Sequence, residues 1–255
     1  MEDAAPPSDS PELIPAATLI VMRERAGGRA PELLMVERAS QMAFAGGALV
    51  FPGGRIDPGD RVLAAQLGDV TLAARAAAIR ETIEEVGVAV ALSPAPDAAA
   101  VTAMRARLHA GEPLGAVLGP HRLLPDRLIP FARWRPEGRL PRMFDTQFFL
   151  TTAPEAAGEP VVDGSETAHA FWASAHQVLA EADAGRAQLI FPTRRVLERL
   201  ATLENVAAAV AHAAAYPVRA ITPWVERRDG IDQLCIPDDL GYPVTAEPLA
   251  AARRR

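Results

Sequence analysis

Residues 80–88 read RETIEEVGV. Three glutamates, Glu81, Glu84 and Glu85, crowd together between an arginine and a glycine. On a helix advancing about 100° per residue, Glu84 and Glu85 fall about 60° and 40° either side of Glu81. Leu72, Ala76, Ile79, Ile83 and Val86 gather on the opposite side. Gly87 stands where a helix C′ glycine belongs, so the spacing predicts an Ala-rich helix from about Thr71 to Val86. Like charges three and four residues apart cost on the order of 0.2–0.5 kcal/mol per pair. A solvated amphipathic face tolerates that cost, and a bound cation removes it. The helix alone leaves both readings open.

The upstream stretch FPGGRIDPGD, residues 51–60, narrows the choice. Pro52, Gly53, Gly54, Pro58 and Gly59 impose a tight backbone path. Such a turn at the mouth of a strand exposes N–H and C=O groups that phosphates and metals can approach. Five residues separate Gly54 from Asp60, and nineteen separate Asp60 from Arg80.

This arrangement resembles the box of the Nudix family. Its pattern is Gly, five residues, Glu, seven residues, then Arg-Glu-aliphatic-any-Glu-Glu-any-Gly-aliphatic. Gly54, Arg80, Glu81, Glu84, Glu85, Gly87 and Val88 match, and the Phe51–Gly54 lead-in is also typical. Asp60 stands in place of Glu, Thr82 in place of an aliphatic residue, and twelve extra residues precede Arg80. An interrupted box of this kind resembles the branch that holds coenzyme A and acyl-CoA diphosphatases. The stretch RASQMAFAGGALVFPGG is similar to the lead-in of coenzyme A-cleaving members through Arg38, Ala39, Gly47 and Phe51–Gly54, with Ala43 in place of an Arg.

The resemblance implies a Nudix-type α/β/α sandwich with a mixed sheet, an α+β fold. Three carboxylates in one turn make a hard-oxygen site suited to Mg²⁺ or Mn²⁺. By resemblance Glu81, Glu84 and Glu85 are metal ligands, with the Gly53 carbonyl a further one. Arg80 holds a motif glutamate in position, the alternative being a plain surface ion pair with Glu84. Gly53, Gly54 and Arg38 are expected at the substrate. The expected catalytic residues are Arg80, Glu84 and Glu166, the last a candidate general base from a distant loop, where an exposed loop acid is the competing reading. Arg55, Arg133 and Arg142 are further candidates for phosphate contact. Trp172 and Phe171 are expected in the core, and the five histidines are read as structural or surface groups.

Composition excludes several other classes. The chain of 255 residues contains no lysine, so all 26 Lys+Arg cations are arginine. Phosphate-loop NTPase, Schiff-base and protein-kinase chemistry lean on a lysine and drop out. A net charge of −6 argues against nucleic-acid binding by bulk electrostatics. A single cysteine, Cys235, allows no intrachain disulfide, so a cytoplasmic setting and a buried structural thiol are expected. No membrane span is expected, and the acidic, Pro-rich start is unlike a signal peptide. The expected partner is a small-molecule diphosphate, and a homodimer is compatible with the sequence.

Residues 1–14 and 246–255 read as tails, 15–200 as the hydrolase domain, and 201–255 as a C-terminal helix, hairpin and tail packed on it. Strands are expected at AATLIVMRER, ELLMVERA, GGALVF, VAVAL, RLIPFARW, FDTQFFLTT and TAHAFWAS. Helices are expected within 97–110, 174–185 and 192–203 and across NVAAAVAHAAA, with a hairpin around Asp229-Gly230. The twelve-residue insert, about 61–72, is expected to fold as an excursion beside the diphosphate site that shapes the pocket. Asp69 or Thr71 would cap the acidic helix. The leading substrate is coenzyme A or acyl-CoA, the alternative ADP-ribose or an ADP-sugar, and a non-catalytic ligand sensor is the reading from another class.

Overall fold

The computed structural model describes residues 13–42, 45–136, 143–154, 157–162 and 166–252. Its centre is a run of apolar residues in β1 (Leu13–Arg25), too continuous to have a wet face. Ala17, Leu19 and Val21 enter one core and Ile20 and Met22 the other, so successive side chains serve opposite layers. β1 pairs antiparallel with β2 (Arg29–Arg38), Met22 opposite Leu33, which makes the first hairpin. β3 (Ala48–Val50) extends β2, and β4 (Gly53–Arg55) lies antiparallel to β1 with Thr18 opposite Gly53.

Helix α1 (Pro58–Gln66) and a 3₁₀ turn at Val70–Leu72 lead into α2 (Ala73–Val86). Next come β5 (Leu92–Ser93), α3 (Ala98–His109), α4 (Leu114–Val117) and β6 (Arg122–Leu123). β7 (Ile129–Trp134) pairs antiparallel with β8 (Met143–Thr152), and β8 runs parallel to β1 from Leu13–Met143 to Met22–Thr152. β9 (Thr167–Ser174) pairs antiparallel with β2. The mixed sheet is completed at its edges by β10 (Gln188–Leu189) beside β3 and β11 (Ala220–Ile221) beside β7.

Helix α2 covers the first face of this sheet. Ile79, Ile83 and Val86 are fully buried with Leu19, Leu34 and Val36, each contributing about 1.5–3 kcal/mol. The opposite face is covered by α5 (Ala175–Asp183), α6 (Phe191–Ala201) and α7 (Val206–Ala215). Ile236, Leu240 and Tyr242 join that second core, Tyr242 meeting Trp134 edge-on at 5.9 Å. A small sheet of β12 (Trp224–Arg228), β13 (Ile231–Cys235) and β14 (Ala246–Pro248) precedes α8 (Leu249–Ala252). Cys235 is buried within it, and the turn at Asp229-Gly230 joins β12 to β13.

Four expectations change. β1 begins at Leu13, because pairing with Met143 orders residues that local composition assigns to a tail. Ala246–Pro248 is a strand, since Ala246 finds Cys235 across the sheet and Glu247 is buried 3.6 Å from Arg195. Val88, Ala89 and Val90 are buried as loop rather than as a strand, and only Leu92–Ser93 pairs, with β6. Residues 58–66, whose Pro- and Gly-broken start suggests a loop or short helical turn, form a full helix, because Asp60 Oδ2 accepts the Asp57 N–H at 2.9 Å and Pro58 presets its first turn. Residues 1–12 and 253–255 of the expected tails lie outside the described residues.

Candidate active site

The acidic helix is not a surface helix. Eleven of the residues of α2 are buried, including Arg80, Thr82 and Glu85. Thr82, the odd residue of the motif, satisfies its hydroxyl by donating to Ala78 O at 2.7 Å. Gly87 ends the helix at φ +64°, a left-handed turn that a side chain would strain. Asp69 accepts from Thr71 N–H at 2.8 Å, so it caps the 3₁₀ turn that leads into α2, while α2 itself starts without a side-chain cap.

The glycine strand lies against the acidic turn. Gly53 N–H donates to Glu85 Oε2 at 3.0 Å, across 32 residues of sequence. Gly53 has φ +156°, and a Cβ there would come 2.7 Å from Thr18 Cα. At Gly54 a Cβ would overlap the Glu81 carboxylate. Both glycines are therefore required by close approach, one to β1 and the other to the carboxylate. It is the Gly53 amide that engages the cluster.

Arg80 ties the motif together. It is 7% exposed and donates through Nε and Nη2 to Asp60 at 3.1 and 3.0 Å, Asp60 being 1% exposed. Its Nη1 reaches Glu81 at 3.0 Å and Glu84 at 2.7 Å, and Nη2 also donates to Arg55 O at 2.9 Å. Of the two readings of Arg80, the surface ion pair is excluded by this burial. Burial alone would lower the pKa of Arg80, but the bonds to Asp60 and the charges of Glu81, Asp60 and Glu84 outweigh it and hold the guanidinium charged. The sequence assigns Asp60 no role of its own. Its only signal is its position, five residues intervening after Gly54, where the box places an acid.

The carboxylates feel both burial and each other. Burial is the largest cause that pushes Glu81 up to about 7, with Arg80 opposing and Glu84 adding to the rise. Burial, then the charge of Glu81, pushes Glu85 up to about 8. Burial also raises Glu84, against the pull of Arg80. Among the described residues these side chains do not converge on one point, because Glu81 and Glu84 turn to Arg80 and Glu85 turns to Gly53. Those bonds engage one oxygen of each carboxylate, Oε1 of Glu81 and Oε2 of Glu84 and Glu85. Three acidic oxygen donors, partly desolvated and mutually repelling, fit a hard divalent cation.

Arg38 and Glu166 both come close enough to bear on Glu85, Arg38 favouring its charged form and Glu166 opposing it. Glu166 is exposed, and its carbonyl accepts the Ala39 N–H at 2.9 Å, which joins its loop to the end of β2. Arg133 is held in a two-bond fork by Asp145 at 2.7 and 2.6 Å, so its donors serve the sheet. Arg55 contributes its carbonyl, while the residue itself is exposed. Arg142 and Ala43 lie outside the described residues. Trp172 is buried, with the Arg23 guanidinium 4.3 Å from its ring centroid, and Phe171 stacks on His169 at 5.2 Å.

The insert folds as the rest of α1 and the 3₁₀ turn. Asp60 brings the first turn of α1 to the site, and α1 packs against α2. Leu63 packs with Leu114 and Val117, whereas Val62, Leu67 and Val70 stay exposed. The opposite side of α2 meets α3, where Arg105 and His109 touch the backbone of Glu84. Sequence reasoning misses both, since nothing in the local pattern of α3 refers to a residue more than twenty positions away.

Comparison with solved structures finds a Nudix hydrolase from Alicyclobacillus acidocaldarius, 30% identical, covering 78% of this chain and 96% of that one with a TM-score of 0.69. An Ap4A hydrolase of C. elegans, in a binary complex, is 16% identical over 74% of this chain and 96% of that one, with a TM-score of 0.43. The Nudix domain of Shewanella oneidensis NrtR, complexed with ADP ribose, is 12% identical over 78% and 92%, also at 0.43. No family model matches the chain. None of the curated proteins matches it either.

Proposed function

The chain belongs to the Nudix hydrolase family, and from that premise we propose that it cleaves the diphosphate linkage of a nucleoside diphosphate derivative, with coenzyme A or acyl-CoA as the leading substrate. The observation that carries this reading is the set of three carboxylates on the last two turns of α2, laid against the Gly53–Gly54 backbone and braced by Arg80. Glu81, Glu84 and Glu85 would hold Mg²⁺ or Mn²⁺. When bound, such an ion neutralises diphosphate charge and lowers the pKa of a coordinated water.

The chain's own residues do the rest. Arg80 and buried Asp60 hold Glu81 and Glu84 at fixed separation. The side-chain-free strand at Gly53–Gly54 lets the Glu81 and Glu85 carboxylates close onto its backbone. Arg38 supplies a cation on the same side as Glu85, suited to a phosphate oxygen. Glu166, exposed on its loop, is the group proposed to take the proton from the attacking water. Water adds to one phosphorus, the P–O–P bond breaks, and two phosphomonoesters leave. With coenzyme A these are 4′-phosphopantetheine and adenosine 3′,5′-bisphosphate.

Support for coenzyme A within this chemistry comes from the interrupted box and the Arg38–Gly54 lead-in. The test is a hydrolysis screen with Mg²⁺ over coenzyme A, acetyl-CoA, ADP-ribose, NADH and nucleoside triphosphates. The expected result is the highest kcat/KM for coenzyme A or its acyl form. A higher value for ADP-ribose would move the assignment to the alternative, and no turnover of any diphosphate would overturn it.

A further inference from the structure

An α-helix leaves its last four carbonyls without intrahelical donors. In α2 these belong to Ile83, Glu84, Glu85 and Val86, and all four are met. Gly87 N–H donates to Ile83 O at 3.0 Å, and Val161 N–H donates to Val86 O at 2.9 Å. The two between are the peptide oxygens of the glutamates themselves. One side chain from another helix takes both: Arg105 of α3 donates through Nε to Glu84 O at 2.8 Å and through Nη2 to Glu85 O at 3.1 Å. His109, one turn further along α3, places Nε2 3.1 Å from Glu84 O. A carbonyl only accepts, so Nε2 carries the ring proton in that contact.

This arrangement does more than finish a helix. A planar fork spanning two successive peptide oxygens restricts both peptide planes, which a flexible ammonium could not do as well. The positive charge also sits at the negative end of the helix. The turn held in this way bears two of the three mutually repelling carboxylates, and repulsion favours fraying it. Arg105 is 21 residues from Glu84, so α3 supplies a rigidity that α2 lacks on its own.

We propose that Arg105, assisted by His109, is the positioning residue of the acidic turn, setting its affinity for a divalent cation by fixing the Glu84 and Glu85 backbone before the ion arrives. The proposal rests on the reading of those glutamates as metal ligands. Its test uses the whole chain and Mn²⁺ alone, with free Mn²⁺ counted by electron paramagnetic resonance, beside amide hydrogen exchange at Gly87 and Val88 in metal-free protein. Arg105→Met should weaken Mn²⁺ binding by roughly 10-fold or more and speed exchange at both amides. Arg105→Lys, which keeps the charge but not the fork, should fall between the two and serves as the reading if Arg105→Met does not fold. Unchanged Mn²⁺ binding together with unchanged exchange in a folded variant would overturn the proposal. Faster exchange with unchanged Mn²⁺ binding would reduce Arg105 to a helix cap and overturn its positioning role. Glu84→Gln separates the two readings: if it too leaves Mn²⁺ binding unchanged, the ligand assignment has failed, and the exchange data alone then decide whether Arg105 holds the turn.

Discussion

Arg80 and Arg199 are both buried arginines on helices, one on each face of the sheet, and they are stabilised in opposite ways. Arg80 is surrounded by oxygen: Asp60, Glu81 and Glu84 with the Arg55 carbonyl, and Asp57 at 3.8 Å. Arg199, 2% exposed, donates to Phe131 O at 2.9 Å and lies over the rings of Phe131, Tyr242 and Tyr216 at 4.1, 5.2 and 5.8 Å. Among the described residues no carboxylate pairs with it. Burial lowers the pKa of Arg199, whereas Arg80 is raised despite burial. The contrast shows what burial of a cation is for. Ringed by carboxylates, it organises charge that chemistry can use, and ringed by π faces it closes a core.

The largest expected effect lies on the carboxylate side. Glu84→Gln or Glu85→Gln should lower kcat by on the order of 10³-fold while the fold survives. Near-normal turnover in either variant at saturating Mg²⁺ would remove the functional half of the comparison. Next comes the matched pair of arginine variants, followed by urea unfolding. Arg80→Met leaves Asp60 buried without its partner and should cost about 3–5 kcal/mol. Arg199→Met strands no opposite charge and should cost no more than about 2 kcal/mol. Equal losses would mean that the two environments hold their cations alike.

The smallest effect is a pH slope. Glu81 and Glu85 titrate near 7 and near 8 in the folded chain, well above the carboxyl range of an unfolded one. Between the unfolded and folded values the folded state holds more protons than the unfolded state, so stability falls as pH rises. His212, whose pKa burial lowers, acts in the opposite sense but only below about 6.5, its unfolded value. With a chelator present, the melting temperature should therefore decline from about pH 6.5 to about 8, and Mg²⁺ should flatten the decline. A flat or rising profile without metal would show that burial and the neighbouring carboxylates do not raise Glu81 and Glu85. Arg199→Met should leave the slope unchanged.

Much of the acidic site was legible because it is local. Glu81, Glu84 and Glu85 share a helix, and the wheel places them together whatever surrounds them. Gly87 announces the helix end by the backbone angle it can adopt. The hairpin of β1 and β2 and the strand at Met143–Thr152 follow from apolar runs. The strand at Ala246–Pro248 escapes a local reading because AEP has no strand pattern, and it forms by pairing with Gln233, Leu234 and Cys235 of β13. The insert borders the motif in sequence, but the bond from its edge residue Asp60 to Arg80 spans 20 residues and no local pattern records it.

By itself the sequence determined which residues bear charge, how they are spaced along a helix and where that helix stops. These depend on backbone geometry over a few residues, which repeats wherever the same spacing occurs. Only the tertiary structure decided what each charge faces. Asp60 reaches Arg80 across 20 residues, Gly53 reaches Glu85 across 32 and Arg105 reaches Glu84 across 21. Whether a buried arginine meets carboxylates, as Arg80 does, or aromatic rings, as Arg199 does, depends on which elements pack against its helix. That choice is made by the burial of apolar surface over the whole sheet, and no short stretch of the chain records it.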